Sequence, residues 1–106
     1  MEQIIQIQWT CGNLEEARRI AKELIEKRLV ACANLIPRVE SHYVWEGKAV
    51  QDEEVKVLLK STEDHFDEVS AFIRREASYA LPEVTFIRLD GGSGRYLEWV
   101  EANVKG

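Results

Sequence analysis

From Leu29 to Lys60 the chain alternates apolar and polar residues in two long runs that meet at Glu46-Gly47. Val39, Ser41, Tyr43 and Trp45 interleave with Glu40, His42, Val44 and Glu46, and Val55, Val57 and Leu59 interleave with Glu54, Lys56, Leu58 and Lys60. A period of two predicts β-strands, and the short glycine-containing break between them predicts a hairpin. Each arm holds about 16 residues and, at about 3.3 Å per residue, spans about 50 Å. A domain of this size has a radius of gyration of about 13 Å, so the hairpin overhangs its own core. Uncovered strands expose aromatic side chains and unpaired edge groups. Further copies of the same chain would cover them, and an oligomer is expected.

The rest of the pattern supplies that core. Ile5, Ile7 and Trp9 alternate with Gln6, Gln8 and Thr10 as a strand that ends at Cys11-Gly12. Asn13 predicts a helix cap, with Glu16 closing a capping box. Ala17, Ile20, Ala21, Leu24 and Ile25 form one apolar stripe running to about Arg28. Lys27 and Arg28 in its last turn complement the negative end of the macrodipole. Leu29 to Asn34 is apolar enough for a central strand, and Pro37 marks a bend or an edge. The apolar parity shifts between Val50 and Val55, which predicts a bulge near Gln51 to Glu54.

Ser61 or Thr62 caps a second helix, with Glu63 and Asp64 in its first turn and Phe66, Val69 and Ile73 inward. Glu83 to Leu89 predicts a fourth strand and Gly91-Gly92-Ser93-Gly94 a flexible turn. Tyr96, Trp99, Val100 and Val104 form the stripe of a final helix. This order is α+β: a ferredoxin-like split βαβ arrangement with an extended hairpin and an extra C-terminal helix. Right-handed crossovers place both longer helices on one sheet face. The other face is left bare, and closing three copies around it as a homotrimer is one geometry that buries it.

At 106 residues, 45% hydrophobic and 31% charged, a single domain over residues 1–106 is expected. Lys and Arg number 14 against 19 Asp and Glu, a net charge of −5, which argues against nucleic acid as the partner. The N-terminal residues lack a basic, apolar signal pattern and no run reaches the length of a membrane span, so a cytoplasmic protein without a membrane partner is expected. Cys11 and Cys32 lack a C-x-x-C spacing and read as free thiols. No catalytic triad, H-E-x-x-H or phosphate-binding loop is present, and a non-enzyme is expected.

Leu29-Val30-Ala31-Cys32-Ala33-Asn34-Leu35-Ile36-Pro37, then Tyr43-Val44-Trp45-Glu46-Gly47-Lys48, Glu53-Glu54-Val55, Leu59-Lys60-Ser61, Ser78-Tyr79, Pro82-Glu83 and Tyr96-Leu97-Glu98-Trp99 together resemble the CutA family of divalent-cation-tolerance proteins. The resemblance runs in order along nearly the whole chain. It implies a ferredoxin-like homotrimer associated with tolerance to copper and other divalent metals, with no required cofactor. The architecture is also similar to that of the trimeric PII-type signal proteins, which implies a small effector between subunits as the alternative.

Some bacterial members of that family are described as holding copper through a cysteine near the end of the first strand and a His-His pair before the Ser/Pro-Tyr motif. Here Cys11 sits slightly displaced from that cysteine, and the pair reads Glu76-Ala77. Cys11, just before a helix N-terminus, is expected to be accessible with a lowered pKa. Cys32 is either a soft ligand for copper or a small buried hydrophobe, and Glu76 offers one oxygen ligand. His65 reads as solvated and His42 as projecting from the hairpin. The resemblance places Tyr43, Trp45, Lys60, Tyr79, Glu83, Tyr96 and Trp99 around inter-subunit clefts. Lys60 and Glu83 would be the polar groups of an aromatic-walled site, with Lys60 anchoring a small anionic ligand. Alternatively they form a structural ion pair among interface aromatics.

Overall fold

The computed structural model describes residues 1–106. Its elements run β1 (Ile4–Cys11), α1 (Leu14–Glu26), β2 (Cys32–Trp45), β3 (Lys48–Thr62), α2 (Phe66–Glu76), β4 (Val84–Arg88) and α3 (Gly94–Ala102), with a 3-10 turn, Glu63–His65, leading into α2. The strands form one antiparallel sheet in the order β2-β3-β1-β4. On one face Ile7 lies opposite Leu59, Trp9 opposite Val57 and Cys11 opposite Val55, all buried. Ala17, Ile20 and Leu24 of α1 and Val69, Phe72 and Ile73 of α2 belong to the same core. Each fully buried Ile, Leu or Val there contributes about 1.5–3 kcal/mol. The Trp9 indole nitrogen is the one buried side-chain polar atom without a partner.

The opposite face carries Gln6, Gln8, Thr10, Lys56, Leu58 and Lys60, because cross-strand partners share a face. Helix α3 packs on β1 and β3. Its Tyr96 hydroxyl stands 3.6 Å from Cys32 Sγ, so it covers one end of that face. Elsewhere Ile36 and Ile87 remain exposed.

The hairpin arms have 14 and 15 residues. They stretch the chain to 44 × 25 × 22 Å with a radius of gyration of 14.3 Å, so the overhang read from the sequence is real. Glu46 and Gly47 both adopt left-handed backbone, φ 50° and 79°, the two-residue turn whose twist matches paired strands. Tyr43, Val44 and Trp45 at the tip are exposed.

Several expectations are corrected. Strand β2 lies at the edge rather than the centre, and the buried Leu29 and Val30 precede it. Their apolar run plugs the exit of α1. Arg28 takes φ 58°, its N–H donates to Ile25 O (3.0 Å), and the Leu29 N–H donates to Leu24 O (3.0 Å), a Schellman closure that turns Leu29 inward. The helix therefore ends at Glu26, with no basic residue in its last turn.

The bulge is in β2, not in the return arm. The register passes from Ile36↔Lys56 to Val39↔Glu54, so Pro37-Arg38 hold the extra residue. An edge strand has a free side that tolerates a bulge and a proline, whereas β3 is bonded on both sides. Asn13 caps α1 by accepting the Glu16 N–H at 3.0 Å, but the Glu16 carboxylate goes to Ser78 and Cys11 instead of closing the box. Neither expected cap of the second helix forms: the Thr62 side chain makes no capping bond, and the Ser61 hydroxyl donates to Leu29 O at 2.7 Å. His65 is buried, its Nδ1 2.7 Å from Thr62 Oγ1, because the 3-10 turn folds it back under the strand end.

Candidate functional site

The bulge decides which aromatics face the charged residues. Before it, Cys32 and Asn34 share a face with Lys60 and Leu58; after it, Ser41, Tyr43 and Trp45 share that face with Asp52, Val50 and Lys48. The odd-numbered residues of the arm are thereby brought beside Glu54 and Lys56. The loop between α2 and β4 closes the other side, and a cavity of about 570 Å³ lies between them, lined by Tyr43, Trp45, Glu54, Lys56, Tyr79 and Glu83 among others.

Strand pairing puts a polar cluster in its wall. Thr10 lies opposite Lys56, and Trp9 opposite Val84, which brings Glu83 beside Thr10. Lys56 Nζ donates to Glu83 Oε1 at 2.7 Å and to Thr10 Oγ1 at 2.9 Å. The Thr10 hydroxyl donates to Glu83 Oε1 at 3.0 Å, and Thr85 donates to Glu83 Oε2 at 3.0 Å. Burial by itself would raise the Glu83 carboxyl, but the hydrogen bonds from Lys56, Thr85 and Thr10 outweigh it and hold the group below the usual carboxylate range.

Two phenols donate to the remaining acids. Tyr79 Oη donates to Glu54 Oε2 at 2.8 Å, and burial together with that bond raises its pKa. Tyr43 Oη donates to Asp52 Oδ2 at 2.5 Å, which pushes its pKa up to about 12.

Within one subunit the residues expected around the inter-subunit clefts fall at two ends of the sheet. Tyr43, Trp45, Tyr79 and Glu83 do line the cavity. Lys60 does not; it lies four residues, about 13 Å, further along β3, opposite Cys32 and Gln6. Tyr96 and Trp99 are at that other end too, their rings 5.8 Å apart, exposed, with Tyr96 beside Cys32. The cation that meets Glu83 is Lys56. Lys56, Thr10 and Glu54 escaped the sequence reading, although pairing β1 with both β3 and β4 would have found them.

The proposed metal residues are dispersed in their surroundings. Cys11 is 1% exposed; burial, aided by Glu16, pushes its thiol up to about 11, the reverse of the accessible, lowered-pKa cysteine expected. Its Sγ contacts Asn13 O (3.4 Å) and Glu16 Oε2 (3.3 Å). The carboxylate of Glu76 accepts from Arg19 (3.0 Å) and Arg75 (3.3 Å), which lower its pKa. Cys32 is half-buried at the sheet edge rather than inside a central strand. No group of three or more His, Cys, Asp or Glu side chains stands close enough to hold a metal ion.

Fold and cleft define a small α+β protein in which an antiparallel four-stranded sheet, backed by helices, presents an aromatic cleft on an overhanging hairpin. The CutA1 divalent ion tolerance protein family matches residues 5–103, and the chain belongs to that family. The divalent-cation tolerance protein CutA of Thermus thermophilus is 36% identical over 103 residues, 97% of this chain and 98% of that one. Human CutA is 38% identical over 91 residues, 86% of this chain but 51% of the human protein. The chain thus spans nearly all of the Thermus protein and about half of the human one.

Among solved structures, CutA1 from Oryza sativa superposes with a TM-score of 0.94 at 33% identity, covering 98% of this chain and 95% of that one. The Archaeoglobus fulgidus protein, described as a periplasmic divalent cation tolerance protein, gives 0.92 at 34%, covering 96% and 99%. No helix of this chain is long and apolar enough to cross a membrane.

Proposed function

We propose that this protein serves divalent-cation tolerance as a homotrimer of ferredoxin-like subunits, and that its working site is the Lys56–Glu83 cleft, which binds a small ligand rather than turning one over. The family supports the tolerance role. The overhanging hairpin, which stretches the chain to 44 Å, and the exposed Ile36, Ile87 and Trp99 support assembly, since a lone subunit leaves them in water. One observation carries the cleft: Lys56, Glu83 and Thr10 are locked together in a cavity walled by Tyr43, Trp45 and Tyr79. A few fixed polar groups in an apolar concavity are the usual make-up of a small-molecule site.

The rival is weak binding of copper or another divalent ion, and one observation favours it: the Cys32 thiol is only half-buried. Thermal-shift screening of the intact protein against charged small molecules, Cu(II) and Zn(II) separates the two. A small-molecule stabilisation lost in Glu83→Gln supports the cleft. A response to metals alone, lost in Cys32→Ser, favours copper binding, and silence throughout defeats both. Sedimentation at micromolar concentration tests the trimer, which a stable monomer would refute.

A further inference from the structure

The charge in the cleft has the opposite sign to that of a lysine-anchored site. Lys56 is its strong cation, and its ammonium is already taken by Glu83 at 2.7 Å and Thr10 at 2.9 Å. Glu54, in the same wall, is 7% exposed and has no cationic partner within its own subunit; its hydrogen bond comes from the Tyr79 hydroxyl at 2.8 Å. Two residues along the same strand face, Asp52 is met by the Tyr43 hydroxyl at 2.5 Å and by no ammonium or guanidinium of its own subunit. A phenol donates a hydrogen bond to a carboxylate but no compensating charge, and a buried carboxylate without a cation is costly. His42, also at the cavity, is held by Glu40 at 2.7 Å. Glu54 and Glu83 against Lys56 leave the lining net negative, with Asp52 adding to it.

The walls have the same preference. The faces of Tyr43, Trp45 and Tyr79 are electron-rich, and a cation within about 6 Å of such a ring is attracted to it. A small hydrated divalent ion is poorly served, because its oxygen ligands are not gathered there. An anion would have to draw Lys56 away from Glu83 and then face Glu54.

We infer that the cleft takes a small organic cation, an alkylammonium or guanidinium group, with Glu54 as its counter-ion and Tyr43, Trp45 and Tyr79 as its walls. This rests on the cleft being the ligand site proposed above, and it reverses the anionic ligand that a Lys60 anchor implies.

Calorimetric titration of the intact protein with butylammonium and tetramethylammonium tests it, with acetate, inorganic phosphate and Zn²⁺ as contrasting probes. Saturable heat is expected from the two organic cations. Glu54→Gln, nearly isosteric, weakens them about tenfold, and Lys56→Met, which removes the competing ammonium, tightens them several-fold. A gain of affinity cannot arise from misfolding, so the second variant keeps the outcome decisive. Binding of acetate or phosphate that Lys56→Met abolishes overturns the organic-cation assignment while leaving the cleft a ligand site. Heat from Zn²⁺ alone also overturns it. No heat from any probe overturns both this inference and the cleft reading beneath it.

Discussion

A Cβ added to Gly12 would stand 2.6 Å from Cε1 of Tyr79, closer than real Cβ contacts come. The glycine after β1 is there for space, since its φ is not left-handed, and the space is filled by the phenol that binds Glu54. Gly12→Ala should push the ring off Glu54 and cost about 1–3 kcal/mol by overpacking. In a Tyr79→Ala background the same substitution should cost almost nothing, a non-additivity that urea unfolding of the four variants measures.

At the hairpin tip, Glu46 holds φ 50° and Gly47 φ 79°. Asparagine tolerates the left-handed region better than glutamate, so Glu46→Asn should stabilise the protein by about 0.5–1 kcal/mol. Gly47→Ala should destabilise it by about 1 kcal/mol. Thermal melts should move in opposite directions, and a shift of the same sign in both would contradict the turn geometry.

All three tyrosines should titrate late. The bond to Asp52 holds Tyr43 at about 12, burial and Glu54 raise Tyr79, and the bond to Cys32 with burial holds Tyr96 at about 12, against an ordinary 10.0. Because the folded values lie above the unfolded ones, this contribution to stability is fully present below pH 10. It is lost as pH rises from there towards 12. Absorbance at 295 nm should therefore stay flat through pH 10 in the folded protein and rise near 10 in denaturant. A tyrosine ionising at 10 without unfolding would count against the network.

Cys11 should be inert while the protein is folded. Burial raises its thiol to about 11, so at pH 8 only about one molecule in a thousand carries the thiolate. In Cys32→Ser, where Cys11 is the only thiol left, reaction with an aromatic disulfide reagent should follow unfolding. A fast phase in native buffer would show an access route that the packing denies.

Acid should weaken the cleft. The hydrogen bonds on Glu83 overcome its burial and lower its pKa from 4.5, and Arg88 grips Glu63 through two bonds of 2.7 Å with the same effect. Folded values below the unfolded ones mean stability that is present above about pH 4.5 and lost as pH falls through the folded values. Lys56→Met should flatten that acid limb of a stability-against-pH curve. An unchanged limb would show that the Lys56–Glu83 pair contributes nothing to it.

Where sequence and structure part company, the cause is long-range. Leu29 and Val30 look like a central strand because burial has the same apolar signature whether a residue sits in a strand or plugs the end of a helix. Cys11 looks accessible because it precedes a helix start, yet β3 and Glu16 enclose it. Lys60 and Lys56 share a face and a residue type, so no local pattern chooses between them. The choice falls to Glu83, delivered beside Thr10 by the pairing of β4 with β1.

The chain by itself determined what depends on neighbours a few residues apart: alternating strands, the Asn13 cap, the Glu46-Gly47 turn and the length of the overhang. Those follow from backbone sterics and the period of side-chain direction. Pro37 already marked a bend or an edge, but tertiary structure alone decided that the whole of β2 lies at the edge, that β3 carries no bulge, which cation meets Glu83 and that Cys11 is sealed. These depend on which strand lies beside which, and that is set by burying one sheet face against two helices, an energy summed over the whole fold.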